Sequence, residues 1–192
     1  RVSNLGKYFG EQLLFEHASF SISGGEKVGI VGPNGSGKTT LLRVLAGLVE
    51  PDDGSVSQPG ELNIGYVQQS LHLEEGYTLE EFLTESGNFE HKRLHRILRE
   101  FGFHETDLVR QLKALSGGQK TRAALARVVL QDADLLLLDE PTNNLDLESV
   151  EWLAEFLALD KAACMIVSHD RLFLDRTCSR ILELNPLSRD IE

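Results

Sequence analysis

A glycine-rich stretch at residues 32–39, GPNGSGKT, constrains the fold more than any other part of the sequence. It follows the apolar segment KVGIV and precedes TTLLRVLAGLV, so a strand, a loop and a helix are predicted in that order. Glycines in such a loop let backbone N–H groups curl around phosphate oxygens. The same order of elements begins a parallel α/β core. The sequence therefore predicts a phosphate-binding loop at the carboxyl end of a buried strand.

The side chains of this loop suit a nucleoside triphosphate. Lys38 supplies a positive charge to the β- and γ-phosphates, and the Thr39 hydroxyl can ligate Mg²⁺, a hard cation that prefers oxygen. The residues predicted to bind the nucleotide here are Asn34, Gly35, Ser36, Gly37, Lys38, Thr39 and Thr40.

Two carboxylates end a second apolar segment, LLLLDE at residues 135–140. Burying an unpaired carboxylate is unfavourable, so a partner is implied. We expect Asp139 to hold Mg²⁺ through a water molecule and Glu140 to polarise a water that attacks the γ-phosphate. The alternative, a strand that merely reaches solvent, is weakened by the phosphate-loop motif in the same chain.

Two further polar residues follow predicted strands. Gln69 comes after NIGYV, and His169 comes after CMIV. Ligands of open α/β sheets bind outside the carboxyl ends of the strands, so both residues are expected near the γ-phosphate. A lone glutamine or histidine is more often an ordinary, satisfied polar side chain.

The segment LSGGQ at residues 115–119 predicts a second anion site. Ser116 and Gln119 have the spacing of a capping box, which marks the start of a helix. Glycines at a helix N-terminus allow close approach of an anion, which the helix dipole also favours. The chain's own phosphate loop leaves this second site without an obvious ligand.

The remaining pattern predicts one domain over residues 1–192, with a mostly parallel sheet, an N-terminal antiparallel β layer and a helical subdomain inserted at about residues 70–120. In that subdomain Thr78 and Glu81 form a capping box. Leu94, Ile97, Leu98 and Phe101 share one helix face, followed by Gly102 as a stop signal, and Leu147, Val150, Leu153, Phe156 and Leu157 share a face of a later helix.

The composition narrows the kinds of partner and ligand that the chain can be expected to bind. The net charge of −11 argues against a broad nucleic-acid surface, and the basic stretch HKRLHR at residues 91–96 is interpreted as the solvated face of a helix. Cys164 and Cys178 lack metal-type spacing, and reduced thiols fit a cytoplasmic protein. No apolar run approaches the length of a membrane span.

Four motifs in one order, GPNGSGKTT, LSGGQ, LLLLDEPTNNLD and SHD, resemble the nucleotide-binding domain of ATP-binding cassette (ABC) proteins. The resemblance covers nearly the whole chain and implies a P-loop fold that hydrolyses ATP with Mg²⁺. It also implies that two domains pack head to tail around two ATP molecules. Ser116 and Gly118 would then contact a nucleotide held by the partner's loop.

The resemblance assigns further roles by position. Gln69 would be the Q-loop residue and a metal ligand with Thr39 and Asp139. Asp146 would be the D-loop aspartate and His169 the switch histidine. Phe9 would stack on adenine; Tyr8 is the alternative, and an aromatic core residue is the competing interpretation for either.

The segments EPTNNLD and SHDRLFLD are similar to the ABC-F group, soluble proteins with two fused ATPase domains that act on ribosomes in translation or antibiotic protection. Asn144, where the group commonly has histidine, and Gln68, where many ABC domains have proline, depart from the pattern. The group's linker and second domain are absent from this sequence, so it is expected to be one half of a longer protein.

The main alternative is the ATPase subunit of a membrane transporter, whose helical lobe would grip a membrane subunit. A chromosome- or repair-type ATPase head is disfavoured because the sequence has no heptads for coiled-coil arms.

Overall fold

The computed structural model describes residues 1–10, 12–58, 60–68, 76–85, 87, 89–143 and 145–185. Its strands are β1 (Val2–Phe9), β2 (Gln12–Phe20), β3 (Lys27–Val31), β4 (Asp53–Val56), β5 (Ile64–Val67), β6 (Leu135–Asp139), β7 (Ala163–Val167) and β8 (Arg180–Glu183). Its α-helices are α1 (Lys38–Leu45), α2 (Leu79–Thr84), α3 (His91–Glu100), α4 (Gly117–Leu130), α5 (Leu147–Leu159) and α6 (Arg171–Thr177), with short 3₁₀ turns at Glu105–Asp107 and Leu112–Ala114.

A parallel sheet in the order β5-β6-β7-β3-β8 forms the centre of the molecule. Every residue of β7 is buried, as expected for a strand covered on both faces. Cys164 lies in this strand, and burial raises the pKa of its thiol to about 12, so it is an inert core residue. The carboxyl ends of the parallel strands share one edge, which positions the site.

An antiparallel sheet in the order β2-β1-β4 forms the predicted N-terminal layer. Strand β2 begins at Gln12 and pairs antiparallel with β1. Strand β4, DGSV, was not predicted because it lacks an alternating apolar pattern. Gly54 has φ 75°, and a Cβ there would clash with the backbone of Asn4, so this edge requires glycine.

The helical subdomain carries both predicted signals. The Thr78 hydroxyl accepts the Glu81 N–H at 3.3 Å, and the Glu81 carboxylate accepts the Thr78 N–H at 2.8 Å, which completes the capping box of α2. The apolar face of α3 is confirmed, since Leu94, Ile97, Leu98 and Phe101 are buried. Gly102 follows the helix with φ 74°, as a stop signal requires.

Two helix predictions need correction. Helix α1 ends at Leu45 rather than continuing to Val49, because Gly47 adopts φ 72° just past the Ala46 cap. Leu147, expected on the apolar face of α5, is 74% exposed, whereas Leu153 and Leu157 are fully buried. Leu147 is the first residue of α5 and lies outside the part of that helix that packs. Within the described residues, no helix is long and apolar enough to cross a membrane.

Candidate nucleotide-binding site

The glycine-rich loop joins β3 to α1, and its backbone conformation would be strained for residues other than glycine. Gly32, Gly35 and Gly37 have φ values of 153°, 79° and 97°. A Cβ at Gly37 would lie 3.0 Å from Phe15 Cδ1, so the loop is also packed too closely for a side chain there. Gly37 is the N-cap of α1 without a side-chain cap, which leaves N–H groups of the first turn available to an anion.

Two polar side chains of the loop are buried. The Ser36 hydroxyl has no hydrogen-bond partner among the described residues. The Lys38 ammonium donates to the carbonyl oxygens of Gly32 at 2.8 Å and Pro33 at 2.9 Å. Burial lowers the pKa of Lys38, opposed by the nearby carboxylates at the end of β6. The loop thus holds a desolvated cation and an unsatisfied hydroxyl, both suited to phosphate oxygens.

Thr39 and Asp139 come together as predicted for metal ligands. The Thr39 hydroxyl donates to Asp139 Oδ1 at 3.2 Å. Asp139 is buried, and that burial raises the pKa of its carboxyl, although hydrogen bonds from Thr39 and Tyr66 oppose the shift. No group of three or more His, Cys, Asp or Glu residues in the described part of the chain could hold a metal. One hydroxyl and one carboxylate fit Mg²⁺, which takes few protein oxygens and completes its octahedron with phosphate and water.

Sequence reasoning missed Tyr66. Its hydroxyl lies 3.4 Å from Asp139 Oδ2, to which it donates, and it also bonds to Arg43 of α1. Burial and the Asp139 charge raise the pKa of Tyr66, so it stays a donor at neutral pH. The segment that contains it was interpreted only as a strand. No sequence pattern pointed to Tyr66, because its position near Asp139 depends on the pairing of β5 with β6, in which Tyr66 lies opposite Leu137.

Glu140 is held in a fixed orientation directly after β6. Its φ is 51°, unusual for a residue with a side chain, and its N–H donates to Val167 O at 2.8 Å. His169 Nε2 lies 3.1 Å from Glu140 Oε1, and the His169 backbone N–H donates to Oε2 at 3.3 Å. Burial raises the pKa of Glu140, while the charge and N–H of His169 oppose that shift. A buried, basic carboxylate with both oxygens oriented can take a proton from water.

Ser116 and Gly118 lie at the N-terminus of α4. The Ser116 hydroxyl accepts the Gln119 N–H at 3.2 Å, and Gln119 Oε1 accepts the Ser116 N–H at 3.1 Å, which confirms the capping box. A Cβ at Gly118 would lie 3.2 Å from Ser149 Oγ in α5, so α4 and α5 begin side by side. Asp146 caps α5, and its hydrogen bonds with Ser149 lower the pKa of Asp146. No hydrogen bond among the described residues links Ser116 or Gly118 to loop 32–39.

Phe9 and Tyr8 are surface residues. Phe9 is 78% exposed and Tyr8 42% exposed, so the core interpretation of these aromatics is wrong. Phe9 ends β1 opposite Gln12, and a Cβ at Gly37 would lie 3.1 Å from Leu14, so this hairpin is next to the phosphate loop.

The other predicted residues have these positions. Asn34 and Gly35 are exposed on the loop, and Thr40 is half-buried in the first turn of α1. Gln69 and Asn144 lie outside the described residues.

The fold and the loop geometry define the class of protein: a P-loop nucleoside triphosphatase, with phosphate-binding groups and paired carboxylates at the carboxyl edge of a parallel sheet. Residues 15–143 match the family model described as "ABC transporter". The chain therefore belongs to the ABC family and is an ABC ATPase domain.

Relatives of the chain include ABC-F proteins. It is 42% identical over 188 residues to the ribosome protection protein VmlR of Bacillus subtilis (strain 168), covering 96% of this chain and 34% of the relative. It is 38% identical to the energy-dependent translational throttle protein EttA of Escherichia coli O6:H1 (95% and 34%). It is 32% identical to ABC transporter F family member 2 of Arabidopsis thaliana (95% and 34%). The chain spans about a third of the length of these relatives.

Solved structures confirm the fold. A dimeric structure of MJ0796, a bacterial ABC transporter cassette, matches with a TM-score of 0.84 at 27% identity, over all of this chain and 95% of that one. The dimeric post-hydrolysis state of the ATP-binding cassette MJ0796 bound to ADP and Pi matches with a TM-score of 0.83 at 26% identity, with the same coverage. The predicted fold class and the resemblance to ABC domains, most like the ABC-F group, are confirmed; the roles of single residues stay predictions.

Proposed function

We propose that this chain hydrolyses ATP as one member of a head-to-tail pair of ABC domains and thereby drives an ABC-F-type cycle on the ribosome. The observation that carries the chemistry is the Glu140 carboxylate. It is buried, held at both oxygens by His169, and joined along the chain to Asp139. That arrangement supports the roles of Glu140 as a base and Asp139 as a metal ligand at the mouth of the phosphate loop.

The chain's own residues would bind the nucleotide as follows. The N–H groups of loop 32–37 and of the first turn of α1 donate to phosphate oxygens, and the Ser36 hydroxyl gains an acceptor. Lys38 exchanges its two carbonyl acceptors for the β- and γ-phosphates. Phe9 offers an exposed ring to adenine.

Thr39 and Asp139 would hold Mg²⁺, with Gln69 as a further ligand. When bound, the ion neutralises charge that develops on the phosphate oxygens. Tyr66 fixes the Asp139 carboxylate by donating to the oxygen that Thr39 does not use.

Glu140 would take a proton from the attacking water. The pKa of Glu140 is raised toward neutral pH, which makes its carboxylate a stronger general base. His169, whose side chain is 58% exposed, both orients Glu140 and remains able to reach a γ-phosphate, and Gln69 would contribute on the same side.

A second ABC domain would complete the site. Ser116 and Gly118 would contact the nucleotide on that domain's loop, which the dimeric cassettes among the structural relatives support. In the full protein this domain would be in the same chain; otherwise two copies would pair.

Two relatives support the ribosomal role, because one is named a ribosome protection protein and the other a translational throttle protein. The transporter alternative is supported by two structural relatives, an ABC transporter cassette and the ATP-binding subunit of an ABC transporter, at the lower identities of 27% and 26%. The proposed location is the cytoplasm, where ribosomes and ATP are available.

A Glu140→Gln substitution in the full-length protein tests the proposal. The amide cannot take a proton, so hydrolysis should fall by about 10²–10⁴-fold while ATP binding stays. The variant should then be trapped with ATP and co-sediment with ribosomes. Glu148→Gln, on the exposed first turn of α5, is the matched control and should hydrolyse normally.

Three results separate the alternatives. Wild-type hydrolysis by Glu140→Gln would remove Glu140 as the base. A trapped variant that ignores ribosomes and binds membranes carrying a cognate subunit would favour the transporter. An inactive variant that stays monomeric with saturating ATP would argue against the paired site.

A further inference from the structure

Two histidines on α3, far along the chain from the ATP motifs, lie in direct contact. We propose that His91 and His95 form a chelating site for a divalent transition metal that prefers square or octahedral geometry, Cu²⁺ above all and Ni²⁺ next. The residues are four apart on one helix, so their side chains lie on the same face. Their Nε2 atoms are 2.8 Å apart and their ring centroids 3.9 Å apart.

Glu105 prepares one of the two ligands. Its Oε1 lies 2.6 Å from His95 Nδ1. Because a carboxylate can only accept, this contact favours a proton on His95 Nδ1, although the two atoms lack hydrogen-bond geometry, and the lone pair of His95 Nε2 is then free for a metal. Metal-binding histidines are oriented in this way by carboxylates in the next layer. The His95 side chain is only 12% exposed, so its ring is held in place.

His91 provides the open side of the site. It is exposed, at the first position of α3, so a metal ion has access from solvent. Its Nε2 is hydrogen-bonded to His95 Nε2, so one of these two atoms carries a proton. With the proton of each neutral ring on Nδ1, both Nε2 atoms offer a lone pair to a metal and neither ring changes its charge.

The spacing selects the metal. With metal–nitrogen bonds of about 2.0–2.1 Å, nitrogens at this separation subtend an angle of about 85° at the ion. That angle suits the tetragonal geometry of Cu²⁺ and Ni²⁺, whereas a tetrahedral zinc site would need nitrogens about 3.4 Å apart. Water fills the remaining positions, consistent with the absence of a cluster of three or more such ligands among the described residues.

Neighbouring charges affect the affinity. Lys92 and Arg96 lie next to the two histidines in the sequence, and their positive charges oppose the binding of a metal cation. Arg96 is paired with Glu100 at 3.8 Å, and Arg99 is directed to the carbonyl oxygen of His95 at 3.3 Å. The Glu105 carboxylate offsets part of this charge. The site therefore favours Cu²⁺, which binds nitrogen ligands most tightly of the divalent first-row metals.

Titration of the purified protein with Cu²⁺ alone, followed by calorimetry and electron paramagnetic resonance, tests the proposal. We expect one tight equivalent with a tetragonal spectrum showing two nitrogen ligands. His91→Ala and His95→Ala should each lower the affinity at least about tenfold and leave a one-nitrogen spectrum, while Glu105→Gln should lower it about 10–100-fold. His17→Ala, at an exposed histidine of β2, is the matched control and should leave the tight equivalent unchanged.

The proposal is overturned if the double variant His91→Ala/His95→Ala, with helical circular dichroism like that of the wild type, retains the tight equivalent. It is also overturned if the wild-type spectrum shows a single nitrogen ligand.

Discussion

Two glycine-rich segments each precede a helix, and they differ in what they leave unsatisfied. In loop 32–37 the Ser36 hydroxyl is buried without a partner, and the adjoining Lys38 is desolvated. At the start of α4, Ser116 is exposed and its hydroxyl and N–H are both paired with Gln119. The first segment is built around groups that need a ligand, whereas the second is already complete as a helix cap.

The difference would allow one chain to carry the two proposed anion sites with different ligands. A loop with unsatisfied buried groups gains free energy whenever phosphate arrives, so it binds on its own. A satisfied, exposed cap gains little from a lone anion, and it contributes when another molecule presents a phosphate to it. We therefore expect substitutions in the loop to weaken ATP binding by the single domain. We expect substitutions in the cap to affect only the ATP-dependent pairing of two domains.

The largest effect is expected from Lys38→Ala. It removes a charged hydrogen-bond donor, a contribution of about 1.5–3 kcal/mol, so Mg-ATP affinity should fall roughly 10–150-fold. Calorimetry on the single domain measures it. Lys161→Ala, an exposed lysine just before β7, is the control and should bind ATP normally. If the folded Lys38→Ala variant bound Mg-ATP with unchanged affinity, the phosphate loop would not be the segment that needs a ligand.

Ser116→Arg should act only on the pair. The arginine fills the space that a partner's γ-phosphate would enter, so ATP-dependent dimerisation should be lost while ATP affinity of the monomer stays within about twofold. Light scattering in a Glu140→Gln background, which preserves ATP, gives the readout. Ser57→Arg, which places the same bulk at an exposed position just after β4, should dimerise normally. Loss of ATP binding by the folded monomer would show that the cap serves its own loop.

The smallest effect concerns stability at the loop. Burial raises the pKa of Asp139 above its ordinary value of 3.8, so its ionisation disfavours the fold as pH rises through the raised value. Asp139→Asn does not titrate. Its stability relative to the wild type should therefore increase between pH 4 and pH 8, by about 1.4 kcal/mol for each pH unit by which that pKa is raised.

Urea unfolding at the two pH values measures this change. Asp175→Asn, at an exposed aspartate of α6, is the control for the general effect of removing a charge. A relative stability that falls with pH would mean that the Asp139 carboxylate is better satisfied in the folded chain than its burial indicates.

The sequence predicted the features that depend on local pattern. The phosphate loop, the carboxylates after β6 and the capping boxes at Thr78 and Ser116 each follow from residue types at fixed spacing. Pairing across the sheet was less accessible. Strand β4 is formed by pairing with β1 rather than by its own pattern, and Tyr66 reaches Asp139 only because β5 lies beside β6.

The orientation of Glu140 was equally hidden. Its contact with His169 depends on a left-handed backbone, which no residue type at that position indicates. The helical periodicity wrongly predicted that Leu147 is buried. The period assigns a residue to a face of the helix, but it does not show how much of that face a neighbouring element covers.

The two carbonyl groups that receive the Lys38 ammonium have a consequence for turnover. In the proposed cycle they would make nucleotide arrival and departure an exchange of acceptors around one cation, so no bare buried charge would exist at either end. Each departing phosphate would be replaced by the carbonyl oxygens of Gly32 and Pro33, six and five residues earlier in the chain. The loop would return to the same hydrogen-bonded state after every turnover, with the lysine kept inside it and not released to solvent.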